Sequence, residues 1–176
     1  MTRRRRGLQG FRNDDRGVAA VELALIGSLF VGAVLNVADV AHYALVTTQV
    51  AVASQAAAQA SVATCDTTET PVTINCADVA AAVTTAIRGT SLGSAVTLQG
   101  GLNEGWYCLN AANTLQYVAA PASKPSNCIA VNDPGSAPAL YLRVQAAYAY
   151  QPIFPGLTVA AAFPGQIVRT AWMRLL

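Results

Sequence analysis

Side chains that could carry out acid–base or nucleophilic chemistry are few and scattered along this chain. The 176 residues include one histidine, His42, which follows Asp39 by three positions. Residues three apart on a helix meet on one face, but a lone His–Asp pair is more often a surface pair than a catalytic site. The acids beyond it are Asp66, Glu69, Asp78, Glu104 and Asp133. With no second histidine, no usefully spaced carboxylates and no glycine-rich phosphate loop after a strand, we expect neither an enzyme nor a bound cofactor.

Four cysteines are the other reactive side chains. They are Cys65, Cys76, Cys108 and Cys128. Four cysteines allow three disulfide connectivities, and we favour Cys65–Cys76 with Cys108–Cys128 because each pair closes a short local loop. A zinc site is the competing interpretation, but there is no CxxC spacing and the chain has one histidine. We therefore expect two disulfides and no metal, in an oxidising compartment.

One carboxylate interrupts the apolar segment near the N-terminus. From Val18 to Leu35 the sequence is VAAVELALIGSLFVGAVL, in which Glu22 is the only charge. Continued to Ala38, the segment has about the 20 residues needed to cross a hydrocarbon core. A carboxylate inside a membrane helix costs at least about 2.5 kcal/mol on insertion scales, so it normally has a partner or reaches headgroups and water. For Glu22 the physics alone leaves both interpretations open.

The charges around this segment predict its orientation. Residues 1–17 hold six arginines, including Arg3–Arg6, against two aspartates, whereas the rest of the chain holds five basic and seven acidic residues. No Lys or Arg occurs between Arg16 and Arg88, so the positive-inside rule places the N-terminus in the cytoplasm and the C-terminal bulk outside. A buried core helix and a cleaved secretory signal are less favoured, since the stretch is longer than the apolar region of a signal and contains a charge. The acidic remainder gives no electrostatic case for nucleic-acid binding.

Small residues recur at every fourth position of the predicted span. They are Ala20, Ala24, Ser28 and Gly32, and Asn36 follows at the same spacing. Such a stripe lets helix backbones approach closely in lipid. It is either a packing face for similar helices or the ordinary small-residue content of a membrane helix.

The sequence RGVAAVE at residues 16–22 resembles the type IV prepilin processing site, which has a basic leader, a glycine and a glutamate five residues into the apolar helix. The resemblance implies cleavage after Gly17 by a prepilin peptidase, so that Val18 becomes the amino terminus and Glu22 pairs with the new amine of a neighbouring subunit. Residues 16–60 are similar to the TadE-like module of tight-adherence pilus assembly, through this motif, Asp39 after the span and an Ala-rich helical continuation. This implies other pilins and pilus-assembly membrane proteins as partners. It also implies a bacterial inner-membrane location with a periplasmic outer domain, or incorporation in an extracellular pilus.

We expect an α+β fold with a pilin-like layout. The Ala-rich sequence has no proline before Pro71 and predicts that one helix continues to about Thr64. A short helix from Ala77 to about Arg88 should follow, with Asn75 as its cap and Gly89 as its stop. Strands are predicted at 95–99, 106–109, 114–118, 140–150 and 166–176, with residues 100–105 as the turn between the first two and a proline-rich surface loop at 119–138.

The predicted organisation is a basic cytoplasmic leader (1–17), a transmembrane helix (18–38), its continuation (39–64) and an exported α+β domain (65–176). Three functions are compatible with it. The first is a minor pilin or pseudopilin that is cleaved after Gly17. The second is an uncleaved, membrane-anchored scaffold of the pilus machine. The third is a surface-binding or adhesion module that uses the loop 119–138 and exposed tyrosines.

Overall fold

The computed structural model describes residues 16–65, 70–133 and 135–176. The basic leader, Asp66 and Glu69 therefore lie outside the described residues. The helices and strands, in chain order, are α1 (Arg16–Thr64), α2 (Val72–Asn75), α3 (Val79–Arg88), β1 (Val96–Leu98), β2 (Asn103–Leu109), β3 (Leu115–Ala119), β4 (Ala139–Ala149) and β5 (Gln166–Arg174). A long apolar N-terminal helix followed by a small antiparallel sheet confirms the predicted α+β fold and its pilin-like layout.

The single long helix α1 extends to Thr64, as its Ala-rich sequence predicts. The chain divides into two compact units. One contains α1 up to His42 together with the segment Pro152–Phe163, and the other contains Tyr43–Gln151 and Pro164–Leu176. The first unit therefore includes twelve residues that the sequence assigned to the exported domain.

The second unit buries one stripe of the outer half of α1. Val46, Val50, Ala53 and Ala57 recur at three- or four-residue intervals and are all buried. At the start of this stripe the Tyr43 ring meets Tyr150, which follows β4, edge to face at a centroid distance of 5.0 Å. The outer half of α1 is therefore part of the packed interior of the second unit.

The sheet is organised around β4. This strand pairs antiparallel with β5 along one edge, and with β2 and then β1 along the other, while β3 pairs with the far side of β2. The even-numbered residues from Leu140 to Ala146 are buried, which confirms the alternation predicted for this strand.

The predicted turn at residues 103–105 is wrong. Asn103, Glu104 and Gly105 belong to β2 and pair with β4, and β1 and β2 each pair with β4 rather than with each other. The pairing of these residues with the distant strand β4 outweighs their local preference for a turn.

The predicted cap of the short helix is also wrong. Asn75 is the last residue of a separate turn, α2, and the helix α3 starts at Val79 with Asp78 at its N-cap position. Gly89 ends α3 as expected. Cys76, which is bonded to Cys65, has an extended backbone after α2 and separates α2 from α3.

Both disulfides have the short-loop pairing that the sequence favoured. Cys65 bonds to Cys76 and Cys108 to Cys128, with sequence separations of 11 and 20 residues. The second bridge joins β2 to the loop that follows β3.

Candidate functional site

The N-terminal half of α1 presents a continuous apolar surface. Its most exposed large side chains are Leu23, Leu29, Phe30 and Val37, each at least 68% exposed. No residue in its most apolar 18-residue window is buried, in contrast to a core helix of a soluble domain. Among the described residues this is the one helix long and apolar enough to cross a membrane, and it is suited to anchoring the chain there.

Glu22 is an exposed carboxylate on this apolar surface. Within the described part of the chain it has no hydrogen-bond or ion-pair partner. The predicted processing residues Gly17 and Val18 are also exposed, in the first turn of α1. Four residues separate Val18 from Glu22, which is about 6 Å along a helix axis.

The small-residue stripe is open on the surface of α1. Ala20, Ala24 and Ser28 are exposed and Gly32 is half-buried. The Ser28 hydroxyl donates to the Leu25 carbonyl at 2.8 Å, so it is satisfied within its own helix. Ser28 and Gly32 also line a shallow, open depression on this face.

Gly32 is not required by packing inside the described chain. A Cβ built at this position meets no heavy atom within 4 Å, and the same holds for Gly27. The absence of a side chain at Gly32 therefore leaves a space that none of the described residues fills.

Asp39 lies just beyond the predicted span and is fully buried. Its Oδ1 accepts the Ile153 amide at 2.7 Å, and its Oδ2 accepts the Phe154 amide at 3.3 Å and the Thr158 hydroxyl. Burial by itself raises the pKa of Asp39, but these three hydrogen bonds and the nearby His42 outweigh it and hold the pKa below its usual value. The carboxylate is therefore charged at neutral pH and fastens the segment Pro152–Phe163 to α1.

Asn36 fastens the same segment one turn earlier. Its Oδ1 accepts the Val159 amide at 2.9 Å, while its Nδ2 donates to the Gly32 carbonyl at 2.8 Å. Asn36 and Asp39 together are called the clamp below. The sequence showed two polar residues on one helix face at the end of the span, but nothing near them in sequence identified the segment that they hold.

Glu104 is a second buried carboxylate with an internal role. Its Oε1 accepts the Val72 amide at 3.1 Å, and its Oε2 accepts the Thr73 amide at 2.8 Å and the Thr73 hydroxyl at 2.7 Å. These amides start α2 and have no partner within that short helix. Glu104 therefore caps α2 from β2, a role that sequence reasoning missed because it assigned the residue to a turn.

Aromatic side chains cover the face of the sheet opposite the buried even-numbered residues of β4. The Tyr107 ring makes edge-to-face contacts with Tyr117, Tyr141 and Trp172 at centroid distances of 5.6, 6.1 and 5.0 Å. Arg143 lies over Trp172 at 5.9 Å. Burial raises the pKa of the Tyr107 hydroxyl, so this side chain is neutral at pH 7.

The surface loop 119–138 is fixed to β2 by Trp106. The indole Nε1 donates to the Pro121 carbonyl at 3.0 Å, and the Lys124 ammonium lies 5.2 Å from the centre of the indole ring. The disulfide from Cys108 to Cys128 holds the same loop further along. A binding role for this loop would therefore use a surface that these contacts hold in place.

Comparison of the chain with protein-family models, with curated proteins and with solved structures finds no match.

Proposed function

We propose that this chain is a minor pilin or pseudopilin that takes part in assembly of a tight-adherence, type IV-like pilus. It would insert through the first half of α1, with its outer domain in the periplasm, and be cleaved after Gly17 by a prepilin peptidase. Its role is structural rather than enzymatic. The observation that carries the proposal is Glu22, an exposed carboxylate on the apolar N-terminal half of α1 with no partner among the described residues.

An amine on an adjoining subunit would satisfy this carboxylate. Cleavage after Gly17 leaves a positively charged amine on Val18 and removes the basic leader. Opposite charges stabilise each other strongly where water is scarce. The pairing would set neighbouring subunits about 6 Å apart along the helix axis, since that is the rise from Val18 to Glu22.

The stripe of small residues supports helix packing between subunits. Ala20, Ala24 and Ser28 are exposed, and the space beside Gly32 is unfilled within the described chain. In lipid, small residues let helix backbones approach closely and gain van der Waals contact.

The decisive experiment is mass spectrometry of the mature N-terminus, on protein purified from cells that contain the prepilin peptidase. The proposal predicts a chain that starts at Val18. An intact Met1, or a start at any other residue, contradicts cleavage and favours the permanently anchored scaffold.

A matched pair of variants sharpens this measurement. Gly17→Leu should block processing, whereas Gly27→Leu should be processed normally. A Cβ at either glycine meets no heavy atom within 4 Å, so neither change disturbs the fold of the described chain. Processing that is lost in both variants would show that the effect is not specific to the cleavage site.

A further inference from the structure

The segment Pro152–Phe163, called the apolar loop below, has the sequence PIFPGLTVAAAF and contains no charged residue. Three of its large apolar side chains are exposed: Ile153 by 52%, Leu157 by 71% and Val159 by 58%. A cluster of this kind on one short irregular segment marks a surface that contacts something other than water.

The clamp fixes the depth of the apolar loop along α1. From Val18 to Asp39 the helix rises about 32 Å, compared with a hydrocarbon core of about 30 Å. The loop is bonded to α1 at Asn36 and Asp39. In a membrane that α1 crosses from Val18, the loop would therefore lie at the end of the span opposite the N-terminus.

Six backbone amides of the loop are hydrogen-bonded within the first unit, which suits a segment with little access to water. Six of its amides have protein acceptors: Ile153, Phe154 and Val159 donate to the clamp, and Leu157, Ala161 and Phe163 donate to carbonyls inside the loop. The Thr158 hydroxyl also donates to Asp39. Irregular backbone at membrane depth is tolerated where its polar groups are bonded in this way.

We propose that the apolar loop rests in the outer lipid interface as a second membrane contact of this chain. The occupant of its exposed face is lipid, because the loop is bonded to Asn36 at a level of α1 where Val34 and Val37 also expose apolar side chains. Ile153, Leu157 and Val159 would then enter the headgroup–acyl boundary, as the apolar faces of interfacial segments do. This inference needs the span to be in a membrane, but it needs neither cleavage nor filament assembly.

The test places a fluorophore on the loop. All four native cysteines are in disulfides, so Leu157→Cys adds one reactive thiol for an environment-sensitive dye. The full chain is reconstituted in phosphatidylcholine vesicles, and the dye is challenged separately with spin-labelled lipid and with iodide in the buffer. The matched control is Ala80→Cys, at an exposed position on α3.

The proposal predicts a blue-shifted emission at position 157 that spin-labelled lipid quenches and iodide does not. The Ala80→Cys control should show the reverse. Iodide quenching at position 157 equal to that of the control overturns the proposal. A second result also overturns it: the dye is protected from both quenchers, and this protection is lost when the protein is diluted in lipid. A second copy of the chain, rather than lipid, would then cover the loop.

The clamp is tested in the same preparation. Asp39→Ala in the Leu157→Cys background should move the dye into iodide-accessible water. If that variant does not fold, Asn36→Ala removes only the side chain that holds Val159 and should cause a smaller shift in the same direction. Unchanged quenching in folded Asp39→Ala and Asn36→Ala proteins would show that the clamp does not position the loop.

Discussion

Replacement of Glu22 by glutamine separates insertion from assembly. The substitution keeps the size and one oxygen of the side chain and removes the charge. Insertion should become easier, because a carboxylate in the span costs at least about 2.5 kcal/mol. Assembly should become harder, because two unit charges 4 Å apart attract by about 4 kcal/mol at an effective dielectric constant of 20. At about 1.4 kcal/mol per tenfold change, that loss weakens the association of adjacent subunits by up to roughly three orders of magnitude.

The assay measures two quantities in the same cells: the amount of chain in the membrane fraction and the amount in sheared filaments. Glu22→Gln should leave the first unchanged or raised and nearly abolish the second. Glu22→Asp keeps the charge on a shorter side chain and should retain part of the filament signal. Wild-type filament yield from Glu22→Gln would refute the pairing, since no charge would then be needed at this position.

Three further changes test other parts of the molecule. Gly32→Leu should lower the yield of sheared filaments while Ile26→Phe leaves it unchanged, because Gly32 lies on the small-residue stripe whereas Ile26 is exposed on the opposite face of α1; equal yields would contradict packing through the stripe. Gly105→Ala brings a Cβ to 2.6 Å from the Tyr117 ring and should reduce the free energy of unfolding by about 1–3 kcal/mol. Chemical unfolding followed by tryptophan fluorescence measures this, and most of the loss should disappear in a Tyr117→Ala background. Glu104→Gln keeps one acceptor oxygen and leaves an amide of α2 unsatisfied, at a cost of about 1–3 kcal/mol. Hydrogen exchange at the first two amides of α2 should then accelerate, and wild-type exchange rates would contradict the capping role.

The elements with strong periodicity could be predicted from the sequence. The end of α1 near Thr64 follows from an Ala-rich stretch without proline, and β4 follows from the alternation of buried and partly exposed residues after Leu140. Both patterns are local, so no knowledge of distant partners was needed. The short-loop disulfides could be favoured for the same reason.

The features that the sequence did not reveal depend on distant partners. Asp39 binds residues 114 to 119 positions away, and Glu104 binds amides 31 and 32 positions away. In sequence, Glu104 stands between Asn103 and Gly105, which is typical of a turn. Its pairing in β2 and its capping of α2 arise from tertiary contacts that outweigh that local preference. The same limit applies to the apolar loop, whose composition was visible but whose attachment to α1 was not.

A carboxylate that lies away from bulk water needs hydrogen-bond donors or a cation, and two carboxylates of the described chain receive their donors from within it. Asp39 and Glu104 are buried, and each accepts two backbone amides and one threonine hydroxyl. Charged acceptors placed away from water require such donors. Glu22 stands on a surface suited to lipid, yet the described chain brings no donor to it. Among the described residues, three donors reach each buried acid and none reaches the acid on the apolar span, and the amine of an adjoining subunit is the partner that the proposed processing would create.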